Sequence, residues 1–180
     1  MKKILTFGLF LLSFFFILFS GLRIHSINKE TPKTFDVQEF KKNEVASLNC
    51  LEISLVSSKT GEKSHYDGGN PEDQYTLMPL TVELMVKNSS NVDQDITTLF
   101  ENQLMTGYSP YNTTNVKADL KLLKPNETTT ISMIFTIDAD VYVKNDTYFI
   151  ISTQSLLKFD KENYSKNYHH GKYKGIIFKV

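Results

Sequence analysis

The chain has 180 residues, one cysteine and equal formal charge, with 20 Lys and Arg against 20 Asp and Glu. A single cysteine excludes an intramolecular disulfide framework, so stability has to come from packing. The neutrality is uneven: from Asn28 onward 17 Lys face 20 acids, yet Lys158 to Val180 holds six Lys against only Asp160 and Glu162.

Ile4 to Leu22 reads ILTFGLFLLSFFFILFSGL without a charge. As a helix rising about 1.5 Å per residue it spans about 28 Å, close to the hydrocarbon thickness of a bilayer. Lys2 and Lys3 precede it, so the positive-inside bias keeps residues 1–3 in the cytoplasm. Residues 4–22 are then the transmembrane segment, 23–34 a polar stalk and 35–180 an extracytoplasmic domain. The length of that part suits one domain with a real core. A secretory signal would have a shorter apolar run ending in small residues. Here bulky Leu18 and Phe19 precede Ser20 and Gly21, which favours a retained anchor; secretion after signal cleavage is the alternative. The single Cys50 lies too far along the chain to be a lipoprotein acceptor.

His25 to Thr34, with Pro32 and no periodicity, reads as the stalk. Leu51, Ile53 and Leu55 alternate with polar residues as in a half-buried strand, and the unpaired Cys50 is expected in it. Thr60 to Pro71, TGEKSHYDGGNP, reads as a surface loop. Leu80, Val82, Leu84 and Val86 form one face of a strand opposite Thr81, Glu83, Met85 and Lys87. Pro79 predicts the start of that pairing or a bulge. Asn88 to Asn91 reads as a turn, Ile96 to Met105 as an irregular strand, and Thr106 to Asn112 as turn chemistry with aromatics. Val116, Ala118, Leu120 and Leu122 alternate in a further strand. Lys124 to Glu127 reads as a tight reversal with positive φ at Asn126. Ile131, Met133, Phe135 and Ile137 make the next apolar face. Tyr148 to Leu157, apolar on both faces, predicts a central strand, and Tyr173 to Val180 the last one.

No stretch after the anchor shows sustained helical periodicity. The pattern predicts an all-β, immunoglobulin-like β-sandwich of seven to eight strands behind one N-terminal transmembrane helix. Five Asn-x-Ser/Thr sequons, at Asn88, Asn112, Asn126, Asn145 and Asn163, read as polar turns.

Three segments carry a resemblance: CLEISLVSSKTGE from Cys50, YTLMPLTVELMVKNSS from Tyr75 and LKPNETTTISMIFTID from Leu123. Over roughly Val45 to Phe159 the chain resembles bacterial extracellular domains of unknown function. Those domains occur in Gram-positive envelope proteins and are related in fold to a secreted mycobacterial immunoprotective antigen. Asn88 matches the Asn that closes their long strand, and Leu123, Pro125, Glu127 and Phe135 match their turn and following strand. Asn126 stands where Gly is usual, the lipoprotein Cys is missing, and the basic tail after Phe159 has no counterpart. The resemblance implies a fold and an envelope location, and it supplies no catalytic residue.

Chemistry is sparsely marked. Adjacent His169 and His170 would point to opposite faces of a strand, which suits no shared ion. His65, Asp67, Glu72 and Asp73 share a loop and Asp138 sits two before Asp140, but neither set matches a calcium-loop signature. Neither a metal nor another cofactor is assigned. No nucleophile elbow or phosphate-cradling loop marks an enzyme. The segment from Lys158 to Tyr173 interleaves cations with aromatics. Lys161, Tyr164, Lys166, Tyr168, Lys172 and Tyr173 are its candidate binders of an anionic polymer, and the bland reading is a solvated loop. In an exported domain the targets are anionic wall polymers or lipid headgroups, and no nucleic acid is expected.

The expected role is a membrane-anchored binding or interaction module of a bacterial envelope whose partner is an envelope protein or wall polymer. A toxin-neutralising or phage-excluding protein, or an envelope hydrolase, are the alternatives.

Overall fold

Helix α1 (Lys2–Asn28) opens the computed structural model, which describes residues 2–28, 34–70 and 74–180. It does not stop at Leu22: the helix continues through Arg23 to Asn28, residues assigned to the stalk on sequence grounds. Of the rest of that stalk, residues 29–33 lie outside the described residues and Thr34 is instead the first residue of the strand that follows. Within α1, Leu11–Asn28 is long and apolar enough to cross a membrane or to serve as a signal sequence, and none of it is buried against the rest of the chain.

Twelve strands follow among the described residues: β1 (Thr34–Phe40), β2 (Val45–Ser47), β3 (Leu51–Thr60), β4 (Ser64–Asp67), β5 (Gln74–Asn88), β6 (Gln94–Asp95), β7 (Gln103–Thr106), β8 (Ser109–Ala118), β9 (Leu122–Leu123), β10 (Thr128–Asp138), β11 (Thr147–Ile150) and β12 (Lys172–Lys179). Two short helices, α2 (Thr153–Phe159) and α3 (Lys161–His169), sit between β11 and β12. The count exceeds the seven or eight expected because short β2, β4, β6 and β9 form within or beside segments that read as turns.

One layer has the order β2-β3-β5-β10-β8 and the other β7-β11-β12-β1. β8 joins them: Ser109 to Asn112 pair with β7, and Thr113 to Ala118 with β10. Leu80, Val82, Leu84 and Val86 of β5, together with Ile131, Met133, Phe135 and Ile137 of β10, are buried between the layers as their alternation predicts. Burying each such side chain stabilises by about 1.5–3 kcal/mol. Phe135 reaches Phe149 of β11 edge-on at 6.2 Å, and Phe149 in turn meets Phe178 of β12.

Pro79 marks the start of the pairing of β5 with β3, whose register begins at Leu80↔Thr60, although β5 itself begins earlier, at Gln74. It lies inside the strand where the neighbour changes from β3 to β4, so its missing N–H falls in the gap between them. Gly61 closes that gap by donating to the Pro79 carbonyl at 2.8 Å. A Cβ at Gly61 would lie 2.6 Å from Pro79 Cγ, which is why the smallest residue stands there. The reversal at Lys124–Glu127 is as expected: Asn126 has φ 63, and Glu127 N donates to Lys124 O at 3.0 Å.

Other expectations are corrected. Asp95 Oδ1 accepts from Thr97 N at 2.9 Å and from its hydroxyl at 2.7 Å, turning Thr97–Glu101 into a 3-10 helix before the short β7. Tyr148 to Leu157 is only briefly strand, because Ser152 caps α2 by accepting from Ser155 N. β8 ends at Ala118; Leu120 and Leu122 are exposed, and Leu123 is buried instead. The loop from Thr60 contains exposed β4, which pairs with the start of β5. Cys50 lies in the turn before β3 rather than in the strand. Asp138 and Asp140 have a local explanation, since Asp138 Oδ1 accepts from Asp140 N at 2.9 Å. Glu72 and Asp73 lie outside the described residues.

Candidate functional site

The basic, aromatic segment is not a loop: Lys161 to His169 forms α3, which packs on β12 at one pole of the sandwich. Its preceding helix α2 is fastened by a polar network. Asn102 Oδ1 accepts from Ser152 N at 2.8 Å, and the Ser155 hydroxyl donates to Thr98 O at 3.1 Å. Leu156 and Phe159 supply the apolar anchor.

Asp160 ends α2 and begins α3. Its side chain, 1% exposed, accepts from Lys174 Nζ of β12 at 2.6 Å and from Asn163 Nδ2 at 2.8 Å. Removing one partner of such a buried pair would leave an uncompensated charge. This pair ties the junction of the two helices to β12, and neither residue was marked by sequence. Asp95 and Lys158 form a second pair at 3.2 Å, more exposed and worth little to stability. The Asp95 carboxyl is held below its ordinary range, first by the Thr97 amide and hydroxyl and only secondarily by Lys158.

An open groove of about 530 Å³ runs along this corner, between Asn49, Cys50 and Gln94 on one side and Lys158, Lys161, Glu162 and Ser165 on the other. It can receive a polar group beside the Lys161 ammonium, with Lys158 paired to Asp95 and the Glu162 carboxylate also in the lining. Catalysis by the thiol at its edge is disfavoured by chemistry. Burial, helped by the Asp160 carboxylate, pushes the Cys50 thiol up against the opposing effects of a backbone hydrogen bond and Lys158. The thiol also donates to Phe159 O at 3.3 Å. A thiol held protonated is a poor nucleophile.

Of the six residues singled out from sequence, Lys161 lines the groove, whereas Lys166 and Lys172 are exposed outside its lining. The tyrosines form a packed cluster instead of a displayed platform. Tyr164 is 7% exposed, stacks on Tyr168 at 6.2 Å and meets Tyr173 edge-on at 6.4 Å. Burial pushes the Tyr164 phenol up as well. The spacing of four between Tyr164 and Tyr168 is that of a helical face, a signal available in the sequence. Among the described residues no three His, Cys, Asp or Glu side chains converge as metal ligands would. His170 Nδ1 lies 2.6 Å from Lys166 O, at the end of α3.

No protein-family model matches the chain, and no curated protein does. Among solved structures it is similar to an uncharacterized β-sandwich protein from Clostridium difficile 630, at 10% identity and a TM-score of 0.51, over 83% of this chain and 99% of that one. The YjhA protein from Bacillus subtilis aligns at 9% identity and a TM-score of 0.47, over 77% of this chain and 97% of that one. A functionally unknown protein from Listeria monocytogenes aligns at 13% identity and 0.44, over 62% and 71%. At 10% identity the first likeness shows the β-sandwich fold and nothing of function.

Proposed function

We propose that the chain is a single-pass membrane protein whose immunoglobulin-like β-sandwich works outside the cytoplasmic membrane as a binding module of a bacterial envelope. Kinship with the domains related to the mycobacterial antigen belongs to the same reading. The observation that carries it is α1: its apolar stretch Leu11–Asn28 is wholly unburied by the chain itself, so it needs an apolar medium from elsewhere. Lys2 and Lys3 before it orient the C-terminal part outward. Binding is favoured over catalysis because the groove at the α2–α3 corner offers the Lys161 ammonium and a protonated thiol, without an activated nucleophile.

A photoreactive residue in place of Lys161, in intact cells, tests the role. The expected result is a discrete adduct with an envelope component, absent when the same probe replaces Lys144 after β10. Crosslinking equally diffuse at both positions would refute a binding role for the groove.

A further inference from the structure

We infer that the pole of the sandwich formed by the α3 C-terminus and the starts of β1 and β12 docks on the anionic lipid headgroups of the membrane that holds α1. The inference rests on the proposed anchor and names what this pole faces.

Chain geometry supplies the orientation. β1 pairs with β12 in parallel, with Thr34 opposite Lys172 and Phe40 opposite Phe178. Thr34 N donates to Gly171 O at 3.1 Å, so the first residue of the sandwich is fastened beside the end of α3. α1 ends at Asn28. Six peptide steps reach at most about 20 Å, which makes this pole the one nearest the helix. The opposite pole holds Lys144, in the turn before β11, whose Tyr148 pairs with Lys179 at the far end of β12.

Charge and apolar surface converge on the near pole. Lys166, His169, His170 and Lys172 are exposed there, and neither lysine has an ion-pair partner among the described residues. The neighbouring carboxylate Asp160 is buried and matched by Lys174; Asp36 is the exposed acid at the start of β1, while exposed Glu39 lies toward the other end of that strand and exposed Glu162 in the first turn of α3. Phe35, one residue into β1, is 75% exposed and lies 5.8 Å from Tyr173, with Val37 also exposed two residues on. An exposed Phe beside Tyr and Lys suits a bilayer interface, where rings settle at headgroup level and ammonium groups meet phosphates. A hydrophilic wall polymer would use the lysines and leave Phe35 wet, so lipid is the better match. Tethering raises the local concentration of headgroups, so a few weak contacts suffice.

The test uses the full chain in nanodiscs and reads the acetylation rate of each lysine by mass spectrometry. In anionic phosphatidylglycerol discs Lys166 and Lys172 should react at least about threefold more slowly than in phosphatidylcholine discs, and near 1 M salt should remove most of the difference. Lys144 should react alike in both. Phe35→Ser, which leaves every lysine in the sequence, should weaken the protection. Equal rates in the two lipids from a chain that has incorporated would overturn the inference and leave the anchor standing. A chain that fails to incorporate would refute the anchor itself. Protection that appears only on adding soluble teichoic polymer would also overturn it, in favour of the wall.

Discussion

The β5–β10 pair and the α2–α3 corner stand at opposite extremes of how this chain holds itself together. Between β5 and β10 eleven residue pairs run in unbroken antiparallel register from Thr128↔Lys87 to Asp138↔Leu77, with one face of each strand apolar and fully buried. At the corner, two helices of seven and nine residues are fixed by Asn102, Ser152, Ser155 and the Asp160–Lys174 pair around a few apolar anchors. Helices this short are marginal alone, so their position depends on those contacts. Apolar packing sets the frame, and directional polar bonds aim the part that carries exposed cations.

Breaking the frame should have the largest effect. Val82→Asp would bury an unpaired charge and should destabilise the sandwich by more than about 4 kcal/mol in chemical denaturation. Glu83→Lys, on the opposite face, loses only the 2.6 Å bond from the Ser57 hydroxyl. It should cost no more than about 1 kcal/mol. Similar damage from both would show that the strand phase is wrong.

At the corner, Lys174→Met should cost about 3 kcal/mol by stranding Asp160, and adding Asp160→Leu should recover much of that loss. An unaffected Lys174→Met variant would mean that Leu156 and Phe159 suffice to hold the helices. A smaller effect is expected at the turn closing β5. The buried Asn88 amide donates to Val92 O at 2.7 Å and Leu123 O at 2.9 Å, and its oxygen accepts from Ser90 N. Its oxygen also accepts from the Ser90 hydroxyl at 2.7 Å, so Asn88→Ala removes four bonds, one of them to the buried Leu123 carbonyl, and should cost about 2 kcal/mol. Its full burial also hides this sequon from any glycan in the folded state.

The mildest probe leaves the sequence intact. Because the Cys50 thiol is pushed up, chiefly by burial, its thiolate fraction at a given pH is below that of the unfolded chain. Alkylation near pH 8 should be slower in the folded protein than in denaturant, and the gap should narrow as pH rises. Faster labelling of the folded chain would reverse the assigned electrostatics of the groove.

The same contrast explains what could be read in advance. Leu80 to Val86 and Ile131 to Ile137 alternate over a buried face, and a period of two kept along a whole strand marks it as half-buried; the alternation from Val116 to Leu122 breaks where the strand ends at Ala118. In α2 the buried residues are Ser155, Leu156 and Phe159, an apolar stripe too short to stand out beside β11. Ser152 was the available start signal, an N-cap immediately ahead of the helix. Tyr164 and Tyr168 already had helical spacing, but alternation with lysines suggested a displayed surface. The Asp160–Lys174 pair joins residues fourteen apart through tertiary packing, and no local pattern marks it. Likewise, nothing local announces that β1 lies parallel to β12, since β1 is an edge strand exposed on both faces except at Phe40.

The central claim is that α1 stays in the membrane with the sandwich outside. Protease added to intact protoplasts tests it most directly, read by antibodies to each end of the chain. The account predicts loss of the sandwich while a short fragment containing α1 remains in the membrane fraction. Full protection of the sandwich until the membrane is lysed, or a soluble product in the medium beginning between Ser20 and Asn28, would contradict it.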